Sequence, residues 1–306
     1  MILPSRIKQG DTIGIIAPAS PPDLEKLQIG IAFLKSLGLQ VKIGNHISAV
    51  HGYLAGTDQA RIAELHTMFA DKSIKGIICA CGGYGTARLA DGLDYSLIAN
   101  NPKVFWGYSD ITFLHTAINK HSELVTFHGP MLSSDIAGKE FDGLSKQMFL
   151  QLFTPNQIIY SEKISKLDVL AEGTANGVIV GGNLTLLTSS LKTPFEIDTL
   201  GKLLLIEDVD EEPYRIDAML NQLRLAGKLA DAVGIVIGNF KVPIQKHKKP
   251  TLTLEQVLDD YFANLNKPVI KGFHIGHCLP HIAIPLGVQA KLSTENKTLK
   301  IAPGVM

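Results

Sequence analysis

Through its first half the chain alternates short apolar runs with segments of helical period, and this alternation limits the folds open to it. "TIGIIAP" (12–18) precedes a helical stretch over 23–37, for which Gly38 is a natural stop. "LQVKIG" (39–44) reads as the next strand. "TDQARIAELHTMFAD" (57–71) opens on a Thr cap and sets Ile62, Leu65, Met68 and Phe69 on one face. "GIICA" (76–80) and "VFWGYS" (104–109) are two further strands. Strands separated by helices pair in parallel through right-handed crossovers, so this half predicts an open, mostly parallel α/β sheet.

From 129 to 175 the pattern loosens. A helical stretch over 142–153 gives way to polar, irregular sequence, which puts a domain boundary near 155–170. Beyond it come "KLLLIEDV" (202–209), a helix over 213–225 ending at Gly227, "AVGIVIGNF" (232–240), a helix over 253–265 and several short strands. The expectation is an N-terminal α/β domain over 1–155 and a smaller, mixed α/β domain over 170–306. A chain of 306 residues is ample for such cores.

Charge excludes some functions. Lys plus Arg (29) equals Asp plus Glu (29), so no net field draws in nucleic acid or an anionic membrane. The densest basic cluster, "QKHKKP" (245–250), reads as a solvated loop. The N-terminal "MILPSRIKQGDTIGIIAPAS" lacks the layout of a signal peptide, and no apolar stretch is long enough to span a bilayer. Cys79, Cys81 and Cys278 are odd in number and sparse, which fits reduced thiols in a cytoplasmic protein rather than a disulfide framework.

The chemistry concentrates in four segments. In "VFWGYSDITFLHTAI" (104–118) the chain passes from strand to helix in a very few residues, with Ser109 at the apex. Ligands of open α/β sheets gather at the carboxyl ends of strands, and a tight turn there exposes a hydroxyl beside the free N–H groups of a helix. Ile111 departs from the G-x-S-x-G elbow, and the plainer reading is that Ser109 or Asp110 caps the helix. "ACGGYGTARL" (80–89) carries Gly82, Gly83 and Gly85, which would let backbone N–H groups approach an oxyanion or a phosphate; its spacing is not that of a P-loop. "IEDVDEEPY" (206–214) holds Glu207, Asp208, Asp210, Glu211 and Glu212. A hard-cation site is conceivable there, but an acidic first helical turn accounts for the later members. Glu207 follows an apolar run directly, and a carboxylate at a buried strand end needs a partner. "GFHIGHCLPHIAIPLG" (272–287) carries His274, His277 and His281 in a Gly- and Pro-broken segment without a Glu, which favours a general base over a metal site. His128 in "TFHGP" is a further base or a core histidine. A serine on an elbow, a strand-end Glu and a later His make a nucleophile, an orienter and a base in the order Ser…Glu…His.

With these residues in view, the chain resembles the serine LD-carboxypeptidases, the murein tetrapeptide carboxypeptidase family that also contains microcin-immunity peptidases. The resemblance runs through "GDTIGIIAPAS", "GYLAGTDQAR", "CGGYGTARL", "FWGYSDIT", "TFHGPM", "GGNLTLL", "EDVDEEPYRID" and "GFHIGHCLPHIAIPLG", nearly the whole length. It implies that Ser109 of the G-Y-S-D motif is the nucleophile, that Glu207 opening E-D-V is the relay carboxylate, and that His277 of G-F-x-x-G-H is the base. It further implies an oxyanion hole from the amides of Asp110 and Gly83 (less so Gly82), an active site between the two domains, often a homodimer, and no metal or organic cofactor. Two residues depart from the family pattern: Cys81 stands where Arg is common, and Asp210 where Gly is usual.

The activity so implied is a cytoplasmic serine carboxypeptidase that releases terminal D-alanine from a muropeptide, cutting after the L-centre of the diamino acid. Arg88 and Arg215 are candidates for the substrate's terminal carboxylate, or equally for surface ion pairs. One alternative is a peptidase for aminoacyl-adenylate antibiotics, which an aromatic loop able to stack a purine would favour; Trp106 lies inside a strand and gives it little support. The other is a non-catalytic sugar- or nucleotide-binding protein with G-G-Y-G as its anion cradle.

Overall fold

The computed structural model describes residues 1–243 and 250–306, so the basic cluster expected as a loop falls, apart from Pro250, outside the described residues. In chain order the strands are β1 (Thr12–Ile16), β2 (Gln40–Ile43), β3 (Ile74–Cys79), β4 (Val104–Gly107), β5 (Thr126–His128), β6 (Ile158–Tyr160) and β7 (Asp168–Ala171). They continue as β8 (Thr174–Asn183), β9 (Leu203–Val209), β10 (Gly234–Lys241), β11 (Val269–Lys271), β12 (Ile284–Leu286), β13 (Gln289–Ser293) and β14 (Thr298–Ile301).

Local signals set the helix ends. Asp23 accepts the backbone N–H groups of Glu25 and Lys26 and so caps helix Leu24–Ser36, after which Gly38 turns away at φ +81°. Thr57 caps helix Asp58–Ala70. The inward face of that helix differs from the apolar stripe expected: Arg61 and Glu64 are buried beside Leu65, Met68 and Phe69, while Ile62 is half-buried. The cause is hydrogen bonding. Arg61 donates to the carbonyls of Pro18 and Gly85, and Glu64 accepts the His46 N–H at 2.8 Å, so two polar side chains turn inward to hold three loops.

The described residues form two sheets. The first, of six strands in the order β12-β5-β4-β3-β1-β2, is parallel except at β12, which pairs antiparallel with β5. The second, of eight strands ordered β6-β14-β13-β8-β9-β10-β11-β7, has a parallel centre from β8 to β11 and antiparallel flanks. Strand β12 thus returns from the far end of the chain to close the first sheet. One hydrophobic cluster takes Ile15, Trp106 and Phe127 from the first sheet together with Ile179, Leu205 and Phe273 from the second half, so the two units share a core. Among the described residues no helix is long and apolar enough to cross a membrane.

Candidate active site

Strand β4 is buried at every position, and the chain leaves it through an extended Tyr108 into Ser109 at φ +63°. A non-glycine residue in the left-handed region costs about 1–3 kcal/mol and persists only where its surroundings enforce it. Here a short 3₁₀ turn (Ser109–Ile111) follows at once, and the α-helix begins at Thr112. Neither Ser109 nor Asp110 caps it through a side chain. The Asp110 carboxylate accepts the Thr86 N–H at 2.9 Å, and the Thr86 hydroxyl donates to the Asp110 carbonyl, which ties the glycine loop to the elbow. Burial pushes the Asp110 carboxyl up, against the pull of those bonds.

The freed hydroxyl faces a histidine from the other half of the chain. Ser109 Oγ lies 3.1 Å from His277 Nε2, and His277 Nδ1 lies 2.7 Å from Glu207 Oε2. Glu207 is fully buried in β9, next to Asn183 of β8 in the register, and His277 sits in the segment after β11. An ionised carboxylate only accepts, so Nδ1 carries the proton and Nε2 presents a lone pair to the hydroxyl. Burial alone would raise the Glu207 pKa, but His277 and His128, which face it from either side, together outweigh burial and hold the carboxyl below its usual range. For His277 the same balance runs the other way: burial pulls it down, Glu207 pulls it up further, and the imidazole ends above its ordinary 6.5.

Gly276 explains one constraint in this segment. At φ +110°, a Cβ built on it would stand 2.4 Å from Glu207 Oε2. Gly276→Ala therefore must displace the carboxylate or the histidine loop. A shift of about 1 Å in a reacting group can cost about 100-fold, so kcat/KM, measured per folded molecule, should fall by about that factor.

The glycine loop reaches the elbow through Gly82, whose added Cβ would lie 3.3 Å from Ser109 Oγ; Gly83, at φ +113°, packs instead on Ser20. Ser20, which sequence reasoning passed over, accepts the Tyr84 N–H with its hydroxyl and donates its own N–H to the Gly82 carbonyl. Cys81, in place of the expected Arg, donates its thiol to the Ser20 carbonyl at 3.2 Å, and burial pushes that thiol up to about 11, so it brings no charge. Asp210, in place of the usual Gly, adopts φ +59°, a conformation Asp tolerates better than most residues.

Among the described residues, none of the other acidic residues or histidines singled out from the sequence hydrogen-bonds Ser109 or His277. Asp208 points to the opposite face of β9, where Asn183 and Thr185 hydrogen-bond it. Glu211 pairs with Arg215. His281 is buried against the Tyr108 ring, and the His274 backbone N–H donates to the Tyr160 hydroxyl. Among the described residues no group of three such side chains is set to hold a metal ion.

An open cleft of about 830 Å³ leads to His277, lined by Tyr108, Asp135, Lys139, Lys241 and Leu279 among others. Arg88 is held by Asp58, as Arg215 is by Glu211, and neither lines this cleft. Lys139 and Lys241 escaped sequence reasoning because single lysines outside any motif carry no pattern. Tyr108 stood within the quoted segment and could have been read from its place before the serine. Its hydroxyl donates to Asp135 at 2.7 Å while its ring packs on His277.

Comparisons with known proteins bear on this geometry. A family model described as the LD-carboxypeptidase N-terminal domain matches residues 13–129, and one described as the LD-carboxypeptidase C-terminal domain matches 176–292. The chain is 55% identical to a probable murein peptide carboxypeptidase of Bacillus subtilis strain 168, covering 99% of this chain and 95% of that one. It is 30% identical to a murein tetrapeptide carboxypeptidase of Pseudomonas aeruginosa, covering 92% of each. A solved structure of MccF in complex with glutamyl sulfamoyl guanosine superposes with a TM-score of 0.89 at 24% identity, over 98% of both chains, which shows a shared fold. Both halves of the chain thus match one lineage of serine peptidases: the protein belongs to the S66 LD-carboxypeptidase family.

Proposed function

We propose that the protein is a murein tetrapeptide LD-carboxypeptidase with Ser109 as nucleophile, His277 as general base and acid, and Glu207 as the carboxylate that orients His277. The observation that carries this reading is the unbroken line from Ser109 Oγ to His277 to Glu207, at 3.1 and 2.7 Å, drawn from three separate elements. A serine hydroxyl is a weak nucleophile until a neutral imidazole takes its proton. Ser109 attacks the carbonyl of the L-configured diamino acid, and the amides of Asp110 and Gly83, beside Gly82, receive the developing oxyanion. His277 then protonates the departing D-alanine amine, and water releases the tripeptide by the reverse proton path.

The cleft supports a small peptide substrate. Lys139 and Lys241 line it, beside Asp135 and Glu140, and are the cations we assign to the terminal carboxylate. In this reading the substrate sits between domains 1–155 and 170–306, and the enzyme serves recycling of wall fragments in the cytoplasm. The relatives named murein peptide and murein tetrapeptide carboxypeptidases point to the same substrate class. Trp106 is fully buried against Phe127 and Phe149 and offers no face to a purine, so nothing about it favours the aminoacyl-adenylate reading. Mass spectrometry of purified protein incubated with a tetrapeptide ending in L-diamino acid-D-Ala tests the proposal. A tripeptide and free D-alanine are expected; an intact tetrapeptide beside a hydrolysed aminoacyl-adenylate analogue would overturn it.

A further inference from the structure

His277 engages only one oxygen of Glu207. The other, Oε1, faces His128 Nε2 at 3.7 Å, and both side chains are fully buried. Behind them lies His281, its ring 5.7 Å from that of His128, and the Tyr108 ring packs on His128, His281 and His277 together. Five polar atoms in this chamber have no hydrogen-bond partner among the described residues: Glu207 Oε1 and both ring nitrogens of His128 and of His281. Native proteins hold few such atoms, and their clustering around one carboxylate asks for a reason.

The backbone fixes His128 firmly. It is the last residue of β5, in register with Gly107 of β4 on one side and Ile284 of β12 on the other. The Gly107 carbonyl in turn accepts the Gly129 N–H and the His115 ring N–H. His128 is therefore anchored to the strand that presents Ser109, while its ring faces the carboxylate that orients His277. The separation exceeds a hydrogen bond by about half an ångström, and catalytic hydrogen bonds often tighten only when substrate is bound. An ionised Glu207 only accepts, so the nitrogen facing it must donate.

We infer that His128 is a positioning residue, whose Nε2–H holds Oε1 of Glu207 so that Oε2 stays aimed at His277 Nδ1. This rests on the Ser109–His277–Glu207 reading and extends it to a second histidine on the far side of the carboxylate. His128 touches no substrate; it acts through Glu207, and its loss should lower kcat and leave KM unchanged.

Two amide variants separate this role from mere packing. Glutamine carries its donor where imidazole has Nε2, and asparagine carries it where imidazole has Nδ1. His128→Gln should keep kcat within about threefold of wild type. His128→Asn should lose about 10- to 100-fold in kcat, the range for a lost hydrogen bond to a charged group, with KM within about twofold. Should His128→Asn not fold, as judged by thermal melting, His128→Ser takes its place with the same expectation. Equal kcat in the glutamine and asparagine (or serine) variants, whether high or low, overturns the inference, and so does a change confined to KM. Glu207→Gln serves as the control: if it retains full activity, the Ser109–His277–Glu207 reading itself fails, whereas its inactivity beside equal amide variants removes only the role of His128.

Discussion

Ser109→Ala is expected to lower kcat by about 10⁴-fold or more while leaving the fold intact. The scale is that of removing the nucleophile from other serine hydrolases, where oxyanion binding and substrate positioning leave a residual rate above that in water. The fold should survive because, among the described residues, the hydroxyl hydrogen-bonds only His277, and alanine meets no new steric demand at φ +63° beyond that already imposed on serine. The check is initial D-alanine release by wild type and variant at matched folded concentration, with melting temperatures alongside. A variant within tenfold of wild type would remove Ser109 from the chemistry.

The second large effect belongs to His277. His277→Ala should also cost about 10⁴-fold or more, because the serine loses the group that accepts its proton. His274→Ala and His281→Ala should keep most of the activity, since neither ring hydrogen-bonds Ser109 or Glu207. The pH profile carries the sign of the electrostatics. His277 must be neutral to act as base, and Glu207 raises its pKa above 6.5, so kcat/KM should be full on the alkaline side and fall with acidification through a midpoint above 6.5. A midpoint well below 6.5 would mean that burial, not Glu207, governs this imidazole.

Much of the architecture could be read from local chemistry. Asp23, Thr57 and Pro213 mark helix starts by capping or by a preset φ, and the structure begins helices at Leu24, Asp58 and Pro213. The apolar runs of β1, β3, β4, β9 and β10 became buried strands because nothing else in the chain can bury so continuous an apolar stretch. What failed was what depends on distant partners. Arg61 and Glu64 turn inward for loops far away in sequence, and β12 joins the first sheet across more than half the chain. The site shows the same division. The elbow at Ser109 and the buried Glu207 were legible, since each breaks a local rule: too tight a turn, and a carboxylate directly after an apolar run. Which of three histidines meets Glu207 was not legible from spacing, and the choice of His277 came from resemblance. Lys139, Lys241 and Ser20 gave no signal because their meaning arises only once the loops are folded together.

Stereochemistry tests the central claim most directly. In the proposed mechanism the acyl group forms on an L-configured residue, with oxyanion donors fixed at Asp110 and Gly83 on one side of the scissile carbonyl. Inverting that centre exchanges side chain and hydrogen, which misplaces the carbonyl by more than the ~1 Å that can cost a hundredfold in rate. The measurement is the initial rate of D-alanine release from two peptides at equal concentration, a tetrapeptide ending in L-diamino acid-D-Ala and the matched pentapeptide ending in D-Ala-D-Ala. The account predicts release from the tetrapeptide at least about 100-fold faster. Equal rates, or a preference for the pentapeptide, would contradict it.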